Sequence, residues 1–454
     1  MTSDTSHCDV AVIGAGISGL AAAHRLKALR PDLDVCLFEK SDVIGGRILS
    51  HSIPNDAGIV ELGAGRYHRV KHPLLDSLMS EFGVKVRPFS YQVAPLQFDL
   101  FEHNREILKT ICWRMQTFHD ECPDTERDRL SFWEAARLAL GEQKRQLLVT
   151  ASGYDSLANE KLPLPQGMGI LFGHPETSSL NGSSDLGWAY PEEGFHKLPE
   201  ALFNVVRQQC RTYLSHQLKR VERLSSNGKS GYRLGFGVGS DHRMVITEKV
   251  IQATPLQDVF AIDGFAFSTS LETSVINVPL MKGYVQYQHP WWREIGLDGL
   301  CFTNPTAFRK IYFPPSGNQL LIYADGNSAL QLNNMINNGN KVHLHFNETL
   351  KQALPFGAFK NHLPQPVKHE WKFWERGISF WDGGLNLLPD ALWALAKNYY
   401  VCSDLCTNEI GWTEGALQSV ESVISRLSHD VPRSLHDRAT GMDVRDRIEI
   451  TEGI

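Results

Sequence analysis

Residues 8–39 read Cys8-Asp9-Val10-Ala11-Val12-Ile13, then Gly14-Ala15-Gly16-Ile17-Ser18-Gly19, then Leu20–Arg30 (LAAAHRLKALR), and, beyond Pro31, Asp34–Phe38 followed by Glu39. The first run is short, apolar and β-branched, as a strand buried on both faces must be. Leu20–Arg30 has helical periodicity and stops at a proline. Asp34–Phe38 reads as a second strand, so the stretch predicts a βαβ unit. Gly14 permits the tight turn, Gly16 lets a pyrophosphate approach the backbone, and Gly19 lets helix and strand pack closely. The helix N-terminus offers free amides and a positive dipole end to phosphate. Glu39, twenty residues after Gly19, can accept both ribose hydroxyls and would repel a 2′-phosphate. Ala15, Ser18 and Lys40 belong to the same expected dinucleotide contact.

The rest of the composition bounds the protein. A chain of 454 residues exceeds the ~250–300 at which single cores stop growing, so two domains are expected. Hydrophobic residues at 42% and charged residues at 21% are ordinary for a globular protein. With 45 basic and 51 acidic side chains the net charge is −6, which gives no basic surface for nucleic acid. The eight cysteines are scattered without a CxxC pair, so neither a zinc site nor any other metal is expected, and free thiols in a reducing compartment are. The polar start MTSDTSHC lacks the basic, apolar pattern of a signal peptide, and no 18-residue apolar run occurs. These features read as cytoplasmic, with no membrane partner.

Two further glycine segments follow the βαβ unit: Gly45-Gly46-Arg47, and Val60-Glu61-Leu62-Gly63-Ala64-Gly65-Arg66-Tyr67. Repeated backbone approaches suit a cofactor longer than NAD. Here the chain resembles the flavin-dependent amine oxidases, whose GG-R lies near the pyrophosphate and whose later glycine segment runs beside the flavin. The carboxyl-terminal part is similar as well. Tyr399–Cys402 reads as a strand, then come Ser403-Asp404, Gly411-Trp412-Thr413 and a helix over Ala416–Leu427. By resemblance, Asp404 contacts the ribityl–phosphate region, Gly411, Trp412 and Thr413 meet the flavin, and Val221 pairs with adenine through its backbone. The fold class implied is α/β: a glutathione-reductase-like, doubly wound FAD-binding domain with a substrate domain of mixed sheet plus helices. The cofactor domain is expected from 1–90, 190–254 and 398–430, and the substrate side from 91–189 and 255–397. The region 91–189 is mainly helical by pattern, for example Ser131–Arg145. A loosely held polar tail is expected over 435–454.

Val278–Trp292 (VPLMKGYVQYQHPWW) reads as a strand interrupted by Lys282. Together with ELGAGRY, Arg309–Phe313 and the segment around Trp412, it resembles the L-amino-acid oxidase branch, and within it the bacterial L-tryptophan oxidases of violacein-type pathways. The resemblance implies an activity, the oxidative deamination of an L-amino acid with an aromatic or hydrophobic side chain to the imino and 2-oxo acid, with ammonia and hydrogen peroxide. It also implies roles. Lys282 sits at flavin N5, Arg66 clamps the substrate carboxylate with Tyr312 as second donor, and Trp412 forms one aromatic wall with Phe380 or Trp381 opposite. Tyr154 and His174 line the side-chain pocket. Segment 376–381 lacks a cysteine, so FAD is expected to be non-covalent, and a homodimer is implied. The alternatives are a mono- or polyamine oxidase, which has no carboxylate to clamp, and a flavin dehydrogenase with another acceptor.

Overall fold

The computed structural model describes residues 5–53, 58–95, 101–127, 129–173, 187–226, 229–239, 241–267, 273–354, 363–382, 394–429 and 448–450. Strand β1 (Thr5–Ile13) lies inside a mixed sheet, parallel to β2 (Val35–Phe38) on one side and to Asp241–Gln252 on the other, with Val10 opposite Val35 and Lys249. Arg211–Tyr213 extends the sheet beyond β2 in parallel. At the other edge, Gln217–Ser226 and Lys229–Val238 add antiparallel strands, and Tyr399–Val401 pairs in parallel with the end of Asp241–Gln252.

Val10, Ala11 and Val12 are buried because both faces of this sheet are covered. On one face helix α1 (Ile17–Leu29) packs with helices Lys197–Gln209 and Thr413–His429, through Leu20, Leu202, Val206, Val420 and Val423. On the other, Phe38, Phe236, Val245, Val250 and Tyr399 form a second core. A side chain at Gly19 would place its Cβ 1.8 Å from the Gly14 carbonyl oxygen, so glycine there is a condition of helix–strand packing.

A second sheet has six strands in the order Lys368–Trp381, Val275–Gln286, Gln319–Asp325, Lys310–Phe313, Leu300–Thr303, Gln92–Pro95; all pairs are antiparallel but the last. Alternation along Lys310–Phe313 divides its two faces. Ile311 and Phe313 enter a core with Trp291, Trp292, Leu332 and Phe346, while Lys310 and Tyr312 turn to the opposite face. There, helices between 101 and 173 close the substrate side through Phe132, Leu148, Leu157 and Leu171, packed with Val278 and Phe380.

Several expectations shift. The helix expected over Ser131–Arg145 is two helices, Phe132–Leu140 and Glu142–Ser152, because Gly141 adopts φ 74° between them; Ser131 caps the first through its side chain. The Lys282 strand starts earlier than expected and stops at Gln286, spanning Val275–Gln286. Within the tail expected to be loose, Ile448–Ile450 pairs antiparallel with Phe265–Phe267. All eight cysteines are free and buried. Among the described residues no three His, Cys, Asp or Glu are grouped to hold a metal, and no helix is long and apolar enough to cross a membrane.

Candidate active site

A cavity of about 1680 Å³ runs from the first βαβ turn to the second sheet. At one end the two glycine turns meet. The Gly45 N–H donates to the Ala15 carbonyl at 2.9 Å, and Gly16 and Gly45 form a parallel bridge. Gly46, at φ 60°, would carry a Cβ 3.3 Å from the Gly16 Cα. Bare backbone on both turns leaves a cradle that side chains would fill, and α1 points its N-terminus into it. Glu39 is fixed beside it: its carboxylate accepts from the Ala15 N–H at 2.8 Å, the Ser41 N–H at 3.0 Å and the Ser41 hydroxyl at 2.8 Å. Lys40 lines the same end, paired with Asp258 at 3.0 Å. These groups fit a dinucleotide with an unphosphorylated ribose.

Further along, Arg47 bridges the glycine turn to the carboxyl-terminal segment. Its guanidinium pairs with the buried Asp404 at 2.9 Å and donates to the Gly377 carbonyl at 3.2 Å. Asp404 also accepts the Gly411 N–H at 2.9 Å, so it holds the turn that presents Trp412 and Thr413 to the cavity. The next residue, Glu414, is fully buried and accepts the Leu74 and Leu75 N–H groups at 3.1 and 2.9 Å. It thereby satisfies the open amides of helix Pro73–Glu81.

Gly63, Ala64, Gly65, Arg66 and Lys282 form the middle wall. The Lys282 ammonium donates to the Gly63 carbonyl at 2.5 Å. Burial, then the nearby Arg66 charge, pull its pKa down to about 8 against the opposing pull of Glu61. Arg66 lies over the Phe89 ring, 5.3 Å from its centre, and so is held in place by a cation–π contact.

Trp412 leans on His72 at 4.8 Å and on Trp188 at 5.6 Å. The His72 Nδ1 accepts the His68 N–H at 3.1 Å, and burial drives its pKa down to about 4, so the ring is neutral. Phe380 and Trp381 both line the cavity, and Trp381 donates from Nε1 to the Leu405 carbonyl at 2.9 Å.

Of the residues expected at the site, Gly14, Gly16, Ser18, Glu39, Lys40, Gly46, Arg47, Gly63, Ala64, Gly65, Arg66, Lys282, Trp381, Asp404, Gly411, Trp412 and Thr413 line this cavity. Ala15 and Gly19 shape its turn from behind. Three others are placed elsewhere. The Val221 N–H donates to the Asp263 carbonyl at 2.8 Å, so it has no amide left for adenine, and Gln217, Leu218 and Lys219 line that end instead. Tyr154 faces inward, its ring 3.5 Å from the Lys310 ammonium, and Tyr323 takes its place on the wall. Tyr312 connects to Arg66 through two rings: it meets Tyr91 edge-on at 5.3 Å, Tyr91 meets Phe89 at 4.9 Å, and the Arg66 guanidinium lies over Phe89. It is not among the residues that line the cavity, where a second carboxylate donor was expected. His174 lies outside the described residues. Sequence reasoning missed Glu61, His72 and Tyr323. Glu61 stood inside the quoted ELGAGRY segment, whereas His72 and Tyr323 carried no signal, since only packing brings Tyr323 to the cavity and His72 against Trp412.

Comparison with known proteins agrees with this geometry. A family described as NAD(P)-binding Rossmann-like domain matches residues 12–82. Achacin of Lissachatina fulica is 21% identical over 92% of both chains. The flavin-dependent L-tryptophan oxidase RebO of Lentzea aerocolonigenes is 42% identical, but over 62 residues, 13% of each chain. A solved putrescine oxidase superposes with a TM-score of 0.73 at 17% identity, covering 94% of this chain and all of that one; at that identity the likeness is one of fold. Fold and cavity together define a flavin-dependent oxidoreductase. The chain is similar along most of its length to flavin-dependent amine and amino-acid oxidases, and these findings support an oxidoreductase of that kind.

Proposed function

We propose that the protein is an FAD-dependent L-amino-acid oxidase. It would convert an L-amino acid with an aromatic or hydrophobic side chain, such as L-tryptophan, to the imino acid and then the 2-oxo acid and ammonia, with hydrogen peroxide as co-product. The observation that carries this reading is Arg66, held over Phe89 on the cavity wall close enough to Lys282 to depress its pKa. Two cations on one wall repel, and a substrate carboxylate between them relieves that repulsion while accepting the guanidinium fork.

The glycine turns, Glu39, Arg47 and Asp404 would hold the cofactor. The chemistry FAD supplies when bound is removal of a hydride from the amine carbon, with the electrons passed on to dioxygen. The chain's own work is placement. Arg66 fixes the carboxylate end, and Trp412 with Phe380 or Trp381 confines the amine. Ile170, Ile378 and Ile410 line the cavity with apolar surface suited to an apolar side chain. Lys282 places positive charge where negative charge develops. FAD is non-covalent in this reading. The one cavity-lining cysteine among the described residues, Cys402, has its thiol pushed up by burial and stays protonated. A homodimer in the cytoplasm completes the reading, with light scattering as the check on assembly.

The test is a panel of L- and D-amino acids plus tyramine and spermidine. It scores flavin bleaching without oxygen, peroxide with it, and flavin released by acid. L-Amino acids should bleach the enzyme and yield peroxide, and acid should release all the flavin. Arg66→Ala should raise KM by about 100-fold, the loss of a charge-assisted pair, with flavin retained. Bleaching by amines alone would reassign the protein to the amine oxidases, and bleaching without peroxide to the dehydrogenases.

A further inference from the structure

Behind the glycine segment of the cavity wall lies a half-buried carboxylate that the proposed chemistry does not use, Glu61. Glu61 ends the strand Gly58–Glu61, immediately before the glycine segment. Its Oε2 accepts the Ser50 hydroxyl at 2.6 Å, and its Oε1 accepts the Phe195 N–H at 2.7 Å. Ser50 in turn accepts the His196 N–H at 3.1 Å. The carboxylate is thus held from the neighbouring strand and from the start of helix Lys197–Gln209. Gly65 lies between it and Lys282: a Cβ there would sit 3.0 Å from the Glu61 Cβ and 3.3 Å from the Lys282 ammonium. Glycine at residue 65 keeps the space between the Glu61 side chain and the Lys282 ammonium free of a side chain.

We propose that Glu61 is a positioning residue that pairs with Lys282 across Gly65 and keeps the lysine charged where the flavin binds. A buried ammonium beside Arg66 would otherwise lose its proton readily, since desolvation and a like charge both disfavour the charged form. Glu61 supplies the opposing charge. Burial pushes its own pKa up, while Ser50, the Phe195 amide and Lys282 hold it down. The groups that face the pair are Arg66 from the glycine segment, Lys372 and Tyr323 from the strands flanking Lys282, and His196 beyond Ser50. The Lys372 ammonium is turned to the Trp374 ring at 4.7 Å, which leaves Glu61 as the carboxylate of this pair. The inference rests on the placing of Lys282 against the flavin but not on the identity of the substrate.

The experiment is a spectroelectrochemical titration of the FAD-loaded protein against pH, with no substrate present. A cation beside the cofactor favours the reduced state, so the potential should show an inflection near pH 8, where Lys282 loses its proton. Lys282→Met should abolish it. Glu61→Gln should move it to lower pH by about one unit, a tenfold change in the lysine's proton affinity. Ser50→Ala, which weakens the hold on the ionised carboxylate without altering the pair, should move it the same way by less. If Glu61→Gln failed to fold, the Ser50 variant would decide the question alone. Glu61→Gln with bound flavin and an unmoved inflection overturns the pairing, and so does an inflection that survives in Lys282→Met. A wild-type protein that shows the Glu61-dependent inflection but bleaches with no L-amino acid supports the pairing and removes the substrate assignment.

Discussion

Glu414→Ala should cost far more than its distance from the chemistry suggests. The carboxylate is fully buried and meets two backbone amides, those of Leu74 and Leu75, at the start of helix Pro73–Glu81. Truncation leaves both amides without a partner in a dry site, and each charge-assisted bond is worth about 1.5–3 kcal/mol. The expected loss is about 3–6 kcal/mol, a large part of a domain's ~5–15 kcal/mol. The consequence is functional, because Glu414 adjoins Thr413 and Trp412 and the helix it caps begins beside His72, which supports Trp412. Glu414→Gln keeps an acceptor oxygen and should lose about half as much. Urea unfolding of the flavin-free protein, followed together with hydrogen exchange at the Leu74 and Leu75 amides, measures both parts. An Ala variant within about 1 kcal/mol of wild type, with the two amides still protected, would refute the cap.

Glu39→Ala should weaken FAD binding by about 10–100-fold, because the carboxylate organises the Ala15 amide and Ser41 as well as meeting the ribose; fluorescence of released flavin measures it. Burial of His72 predicts a pH effect of definite sign. Its folded pKa, about 4, lies below the ordinary 6.5, so the unfolded chain binds the proton first and stability falls as pH drops from 6.5 to 4. The share due to this residue is about 3 kcal/mol. His72→Phe, compared by urea unfolding across that window, should flatten the decline, and equal slopes in the two proteins would assign it to other groups.

Much of the cofactor half is legible in the amino-acid sequence. The apolar run Val10–Ile13, the spacing of Gly14, Gly16 and Gly19, and Glu39 at the end of the second strand are local features, since a βαβ turn is built from residues adjacent in sequence. Lys282 and Arg66 stand out for the same reason, each embedded in a distinctive segment. Legibility declines where a residue's role depends on which neighbour it meets. Tyr312 and Arg309–Phe313 match by pattern, yet Tyr312 packs on Tyr91 and leaves the cavity lining to Tyr323. Val221 lies on a strand as expected, but the Asp263 carbonyl takes its amide first.

Local sequence thus specifies the glycine turn, the acid after the second strand and the two cations of the cavity, because period, spacing and glycine placement act over a few residues. The remaining partnerships come from tertiary packing. Asp404 meets Arg47 across 357 positions, and His72 reaches Trp412 across 340. No local propensity encodes such pairs. They exist because two sheets and the helices between them close on one cavity, and burial there makes each unpaired charge too costly to leave alone.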